Sequence, residues 1–465
     1  MYKALIACVI ALLFTCSAQA QDSLKQGRTI TLQDAINIAL KNNYQVKIAD
    51  NNISKASIDY LSAKADFLPD ISGSMRGGQQ IGQQFNNVTI SFENQVVKSA
   101  SGNLSAGITV FSGWQNIYNL HRADKSMLSQ QEQADRTKEN VIFNAASAYL
   151  QVLLDKQLLQ ISQENLKSSQ QQLDQIKAQV QVGAKPIADQ YNQEATVANN
   201  ELTVTQNQNK LDNDKQSLVS QLQIDPMKDY SFVTPDVDST AINVNHYDIN
   251  ALVRQALNNR SDIKSQQYAI DAAYNSLKMS ESAMYPTVTF NAQISGSYND
   301  KFTDPATRGT ANPQVMPFGR QFFNKNVNKY LGFNIQIPLF NKYNTRYNIE
   351  SSKINYKNAK LNLENTRLQV IQEIRQAYSD YYNYAQQLKS TEKALQAARK
   401  AYETQQERYK VGAGTLIELT QANAQFVQAS SNHVQALYRF IFQEQLLNYY
   451  TGKLNPNMKF KAIKF

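Results

Sequence analysis

Ala39-Leu40-Lys41-Asn42-Asn43 returns 217 positions later as Ala256-Leu257-Asn258-Asn259-Arg260, and Phe67-Leu68-Pro69 returns at the same offset as Met284-Tyr285-Pro286. Further along, the offset is 229. Val110-Phe111 maps onto Leu339-Phe340, Trp114 onto Tyr343, Ala148-Tyr149 onto Ala377-Tyr378, and Val182-Gly183 onto Val411-Gly412. One structural unit is used twice, so internal pseudo-symmetry governs the fold. The step from 217 to 229 puts a 12-residue insertion between Pro286 and Leu339. A loop is expected there, because packed elements tolerate insertion poorly.

Within each repeat the clearest signal is alternation. Val288, Phe290, Ala292, Ile294, Gly296 and Tyr298 are apolar or small, and Thr287, Thr289, Asn291, Gln293, Ser295 and Ser297 are polar. Period two over this length predicts a strand with one apolar and one polar face. Leu331, Phe333, Ile335, Ile337 and Leu339 repeat the pattern. The first copy has strands near Ile71 to Gly77 and Leu104 to Val110, and irregular Gly/Asn-rich loops are expected between the members of each pair.

Each second strand leads into an uninterrupted helical run, Trp114 to Val182 and Tyr343 to Val411, each roughly 100 Å long at the helical rise. Ala145, Val152, Leu159, Leu166, Leu173 and Val180 recur every seven positions, and Ile374, Tyr381, Leu388, Leu395, Tyr402 and Tyr409 are their counterparts. A heptad kept in both copies predicts a coiled-coil seam. Val182-Gly183-Ala184-Lys185-Pro186 and Val411-Gly412-Ala413-Gly414-Thr415 then stop the helices, since glycine takes the left-handed conformation that ends them. Pro186 suits the first turn of the next helix. Return helices end near Leu222 and Tyr450. Ahead of the strands, one helix is expected over residues 31–65, with Thr31 as N-cap and Ala35, Ile38, Ala39 and Ile48 on one stripe. Its copy runs from about Asp248 to Met284.

Residues 1–20 read as a secretory signal: Lys3, an apolar stretch from Ala4 to Phe14, and Ala18-Gln19-Ala20 as a cleavage site. Leu13-Phe14-Thr15-Cys16 weakly resembles a lipobox, so lipidation of Cys16 is the alternative to cleavage after Ala20. Both cysteines, Cys8 and Cys16, lie in this segment, so a chain starting at Gln21 has neither disulfides nor thiolate metal sites. There is no apolar run of spanning length, so no transmembrane helix is expected. Lys and Arg are scattered among Asp and Glu, which argues against nucleic acid. No Walker A, nucleophile elbow, HExxH or Cys/His metal spacing occurs, and His121, His246 and His433 are isolated. Neither enzyme, cofactor nor metal site is expected. The chain divides into signal (1–20), first repeat (21–224), linker (225–250), second repeat (251–452) and basic tail (453–465).

Two repeats give four strands with one apolar face each and two open edges. Lipid-exposed edges leave unsatisfied backbone groups, so apolar-outward strands demand closure by several chains. Phe111, Trp114, Phe340 and Tyr343 flank the strands where helix begins, as interfacial aromatics do. The alternative is a periplasmic coiled-coil envelope protein without a pore.

These features in this order resemble the outer membrane efflux protein family, the TolC family, over Thr31 to Gly452. The most specific segment runs Glu407-Arg408-Tyr409-Lys410-Val411-Gly412-Ala413-Gly414-Thr415-Leu416-Ile417-Glu418-Leu419. The resemblance implies a mainly α fold with a small transmembrane β-barrel. In it a homotrimer closes twelve strands in the outer membrane and a helical tunnel crosses the periplasm. It implies a passive exit duct of a tripartite efflux or type I export system. The partners would be a periplasmic adaptor (membrane fusion) protein, an inner-membrane RND or ABC pump, and outer-membrane lipid. By the same resemblance Val182, Gly183, Ala184, Val411, Gly412 and Ala413 form the adaptor-docking tips, and Asp189, Tyr409, Glu418 and Gln421 form a periplasmic gate. Asp189 and Glu418 also suit the first turns of their helices.

Overall fold

The computed structural model describes residues 28–86, 90–233, 245–307, 310 and 314–453. The expected signal, Cys16 and the tail beyond Lys453 lie outside them. The chain folds as two compact units. One takes the chain up to Asp50, Gln133–Ile263 and the chain from Arg367 on; the other takes Asn51–Glu132 and Lys264–Thr366.

The second unit carries an antiparallel sheet built from β2 (Asp70–Asn86), β3 (Ser91–Ser112), β5 (Thr287–Asn299) and β6 (Val327–Gln336), in the order β2-β3-β5-β6. The repeats join at β3 and β5, whose register runs from Ser99↔Asn299 to Ser112↔Thr287, and β2 and β6 are its edges. Directly opposed residues share a face, so Ile71, Ala106, Ala292 and Leu331 form one row, and Ile108, Phe290 and Phe333 another. A bulge between Thr109 and Phe111 keeps Phe111 level with Val288 and Ile335. Ser72, Ser105 and Gln293 lie on the other face, where the Ser72 and Ser105 hydroxyls are 2.9 Å apart.

The first hairpin is much longer than the alternation indicates, because its register is unbroken from Asp70↔Gly107 to Asn86↔Ser91. The Gly/Gln/Ser stretch beyond Gly77, expected as loop, is paired strand; its backbone ladder needs no apolar side chains. β6 stops at Gln336, short of the expected Leu339, and Pro338, which has no amide to donate, follows. The described part of the inserted loop of the second repeat packs back on the sheet. Gln321 is fully buried, and its side chain accepts from the Asn299 amide and donates to the Asn299 and Met316 carbonyls. Phe322 lies over Gly102 and Gly296, where a Cβ would come within 2.6 and 2.3 Å of it.

The helix expected over 31–65 is two helices, α1 (Leu32–Asn42) and α2 (Tyr44–Ala65). Asn43 breaks it with φ −56° and ψ 125°, and its side-chain oxygen takes the amides of Gln45 and Val46. The copy breaks at the matching Arg260 (φ −62°, ψ 131°) into α5 (Ile249–Asn259) and α6 (Ser261–Ser282). The break resets the stripe: Ala35, Ile36 and Ala39 are buried, Ile38 is half-buried, and Ile48 is exposed. Thr31 and Asp34 do form a capping box.

The long helices are α3 (Gln115–Gln181) and α7 (Asn344–Lys410); the return helices are α4 (Ile187–Leu222) and α8 (Leu416–Tyr450). Ala145, Val152, Leu159, Leu173, Ile374 and Tyr381 of the heptad seam are buried and its other members are half-buried. Two further strands were not legible. β1 (Arg28–Ile30) pairs in parallel with β4 (Tyr230–Phe232), which lies in the stretch expected to be linker. The fully buried Tyr149 places its hydroxyl 3.0 Å from the Ile30 carbonyl and 2.6 Å from that of Val233.

Candidate functional site

The hairpin tips begin with two helix ends built alike. Gly183 and Gly412 take φ of +74° and +76°. The amides of Ala184 and Ala413 donate to the Gln179 and Arg408 carbonyls at 2.8 Å, and those of Gly183 and Gly412 donate to Val180 and Tyr409. These bonds satisfy carbonyls that a helix end leaves orphaned. Nothing lies within 4 Å of a Cβ at either glycine, so the backbone angle alone selects the residue. Val182 and Val411 are exposed by 79% and 76%, and Ala184 and Ala413 are exposed beside them.

Beyond the turns the tips diverge. Pro186, expected in the first helical turn, stands one position earlier as N-cap, because its ψ of 146° is extended. Asp189 lies in the first turn of α4. In the other tip Thr415 caps α8: its hydroxyl accepts from the Glu418 amide at 3.2 Å and its amide donates to Glu418 Oε2 at 3.1 Å. Glu418 is therefore engaged in a capping box. Gln421 lies a turn further on, exposed, in a groove of about 440 Å³ with Thr391, Ala394 and Gln425.

Tyr409 joins the two tips. The Lys185 ammonium sits 4.6 Å from its ring centroid. Burial pushes its phenol up from the ordinary tyrosine range, and the Asp189 carboxylate adds to this. Its hydroxyl is buried without a hydrogen-bond partner among the described residues. The structure thus gathers Asp189, Lys185 and Tyr409.

Where strand gives way to long helix, the aromatics expected at a membrane interface form matching pairs. Phe111 and Trp114 meet edge to face at 5.9 Å, and Phe340 and Tyr343 at 5.7 Å. Each turn uses two successive left-handed residues, Gly113-Trp114 and Lys342-Tyr343. On the apolar sheet face Ile71, Leu331, Phe333 and Ile335 are all exposed.

The outer membrane efflux protein family model matches residues 35–222 and 252–453, one stretch per repeat. The chain belongs to the outer membrane efflux protein family. It is 23% identical over 372 residues to the outer membrane protein TolC of Escherichia coli strain K12, covering 78% of this chain and 71% of that protein. It is 22% identical over 452 residues to the outer membrane efflux protein BepC of Brucella suis, covering 93% and 90%. The fold matches the crystal structure of the CmeC outer membrane channel of Campylobacter jejuni with a TM-score of 0.76 at 16% identity, over 92% of this chain and 87% of that one. The protein is an outer-membrane efflux channel, not an enzyme. Membership sets aside the pore-less envelope spacer.

Three features of this efflux channel had weak sequence signals. Lys185 shows only as a cation at the tip. Arg260 replaces Asn43 of the first copy, a charge out of pattern. Its buried guanidinium donates to Asp262 at 3.0 and 2.6 Å and to Glu373 at 2.6 Å. Burial opposes that charge, but the two carboxylates outweigh it and hold the guanidinium above the usual arginine range. Asp155 is buried with Lys210 Nζ 2.6 Å away. Burial, aided by a hydrogen bond with Asp214, pushes its carboxyl up to about 6 despite the lysine.

Proposed function

We propose that three copies close their sheets into a twelve-stranded barrel, which conducts cargo passively out of the cell. One observation carries this reading: a four-stranded sheet with one exposed apolar face and two unpaired edges. Such edges are untenable in lipid, and small barrels begin at about eight strands. The apolar face extends along β5 from Val288 to Tyr298. That is ~34 Å of strand, or ~26 Å of membrane at a tilt of ~40°, close to the apolar band of outer-membrane barrels.

The tips Val182-Gly183-Ala184 and Val411-Gly412-Ala413 dock a periplasmic adaptor, itself bound to an RND or ABC pump in the inner membrane. Their small exposed residues suit close approach by a helical partner. Asp189, Tyr409, Glu418 and Gln421 line the periplasmic gate, where three copies of each acid favour cations. Cargo is chosen largely by the pump. The test is reconstitution of the purified protein in planar bilayers, with cross-linking to count subunits. Ion conductance from a trimer is expected; a trimer that inserts without conducting would sink the proposal.

A further inference from the structure

The two strand-to-helix turns differ in charge. The first repeat has Asp66, Gly113 and Ile117 where the second has Ala283, Lys342 and Arg346. In the first turn Asp66 is tied in: its carboxylate accepts from Asn119 Nδ2 at 2.8 Å and its carbonyl from Asn116 Nδ2 at 3.1 Å. The second turn retains Tyr347 and Asn348 in place of Tyr118 and Asn119 but has Ala283 in place of the Asp66 carboxylate. A cavity of about 420 Å³ stands there, lined by Ala283, Met284, Leu339, Phe340, Tyr343 and Arg346. Its walls are apolar and exposed, Leu339 by 92% and Phe340 by 75%. Lys342 and Arg346 are both exposed cations of the same turn. Lys342 also holds φ +56°, a left-handed angle that its counterpart meets with Gly113. At Gly113 no side chain fits, since a Cβ would lie 2.6 Å from the Ser282 carbonyl.

We infer that the second turn binds an anionic phospholipid of the periplasmic leaflet, with its phosphate on Arg346 and Lys342 and an acyl chain along Leu339 and Phe340. This rests on the membrane reading of the sheet given above. Charge complementarity selects the occupant. No acid lines the cavity, and the two nearest in sequence, Glu281 and Glu350, are paired with Lys278 at 2.8 Å and Lys353 at 3.8 Å. Two cations beside an exposed apolar wall, where strand gives way to helix, then fit a lipid carrying net negative charge. A zwitterionic lipid brings its own ammonium and gains less. The first turn, where the corresponding acid is Asp66, has no such preference.

The test is retention of phosphatidylglycerol over phosphatidylcholine by the full-length protein, purified from equimolar mixed vesicles and read by native mass spectrometry. At about fivefold per interfacial cation, wild type is expected to enrich phosphatidylglycerol by at least fivefold. Lys342→Gln with Arg346→Gln should bring the ratio close to one, with Arg346→Gln alone in between. Asp66→Asn should leave it unchanged. Circular dichroism and subunit count establish that each variant is folded. Equal retention of the two lipids by wild type, or undiminished enrichment by the double variant, would overturn the site. Equal retention by a wild-type channel that still conducts counts against the site alone and leaves the channel reading intact.

Discussion

Glu418→Gln separates two roles that one carboxylate can hold. In the structure Glu418 Oε2 accepts from the Thr415 amide at 3.1 Å, and a glutamine oxygen can accept the same bond. The capping box therefore survives, and only the charge at the helix N-terminus is lost, at a cost of ~0.3–1 kcal/mol. For a chain of this size the melting temperature should fall by no more than ~2 °C. Glu418→Ala removes the bond as well and should cost ~1 kcal/mol more. The effect on conduction is separate. A unit charge ~6 Å from the pore axis is worth ~0.7 kcal/mol in water, and three copies give ~2 kcal/mol. Screening at 0.1 M salt roughly halves that, to ~1 kcal/mol, or about sixfold cation accumulation. The assay is the reversal potential across a bilayer under a KCl gradient, for Glu418→Gln, Asp189→Asn and both together. Cation selectivity should drop stepwise, with the melting temperature almost unmoved. A double variant that keeps the wild-type reversal potential would refute the acidic ring and leave Glu418 as a cap.

Arg260→Leu takes away the partner of Glu373 and leaves Asp262 only Arg136, 3.7 Å away, so unit stability should fall by ~3 kcal/mol, the low end for a broken buried pair, read by thermal melting. Gly296→Ala drives a Cβ into the Phe322 backbone and Gly102→Ala into the far end of its side chain, which gives way more cheaply than backbone, so limited proteolysis should cut the loop near residue 320 faster in the first variant than in the second. Asp155 titrates near 6 in the folded chain, above its unfolded value of 3.8, so its contribution to stability is full below pH ~4 and is lost as pH rises through 6. Melting temperatures from pH 4 to 8 should show that loss in wild type and not in Asp155→Asn; parallel profiles would count against it.

Much of the fold was legible because duplication prints every signal twice. The heptad in α3 and α7 and the glycine stops at Gly183 and Gly412 were each confirmed by a copy. Signals belonging to one copy only were harder to read. The packing of Phe322 over Gly102 and Gly296 depends on where that ring lands, and nothing in Pro317-Phe318-Gly319 announces it. The break at Asn43 is hard to read because the apolar spacing runs on past it and no glycine or proline marks it. Only the matching backbone at Arg260, a residue of unrelated chemistry, shows that the position, not the side chain, sets the break. Strand pairing beyond Gly77 was missed because backbone hydrogen bonds carry no side-chain signature. At the tips, Asp189 and Glu418 were readable as acids in first turns. That Glu418 bonds Thr415 while Asp189 and Lys185 each act on Tyr409 was not.

By itself the sequence determined the repeat, the two periodicities, the points where helices stop and the membership of the efflux family. Each of these depends on residues near one another in the chain, where local propensity and spacing act. Only the tertiary structure decided which strands are neighbours, how far the first hairpin extends, and which charges face each other. The joining of β3 to β5 brings together residues nearly two hundred positions apart. The contact of Lys185 with Tyr409 spans more than two hundred. Contacts of that range are selected by packing and burial over the whole chain, which no local pattern encodes.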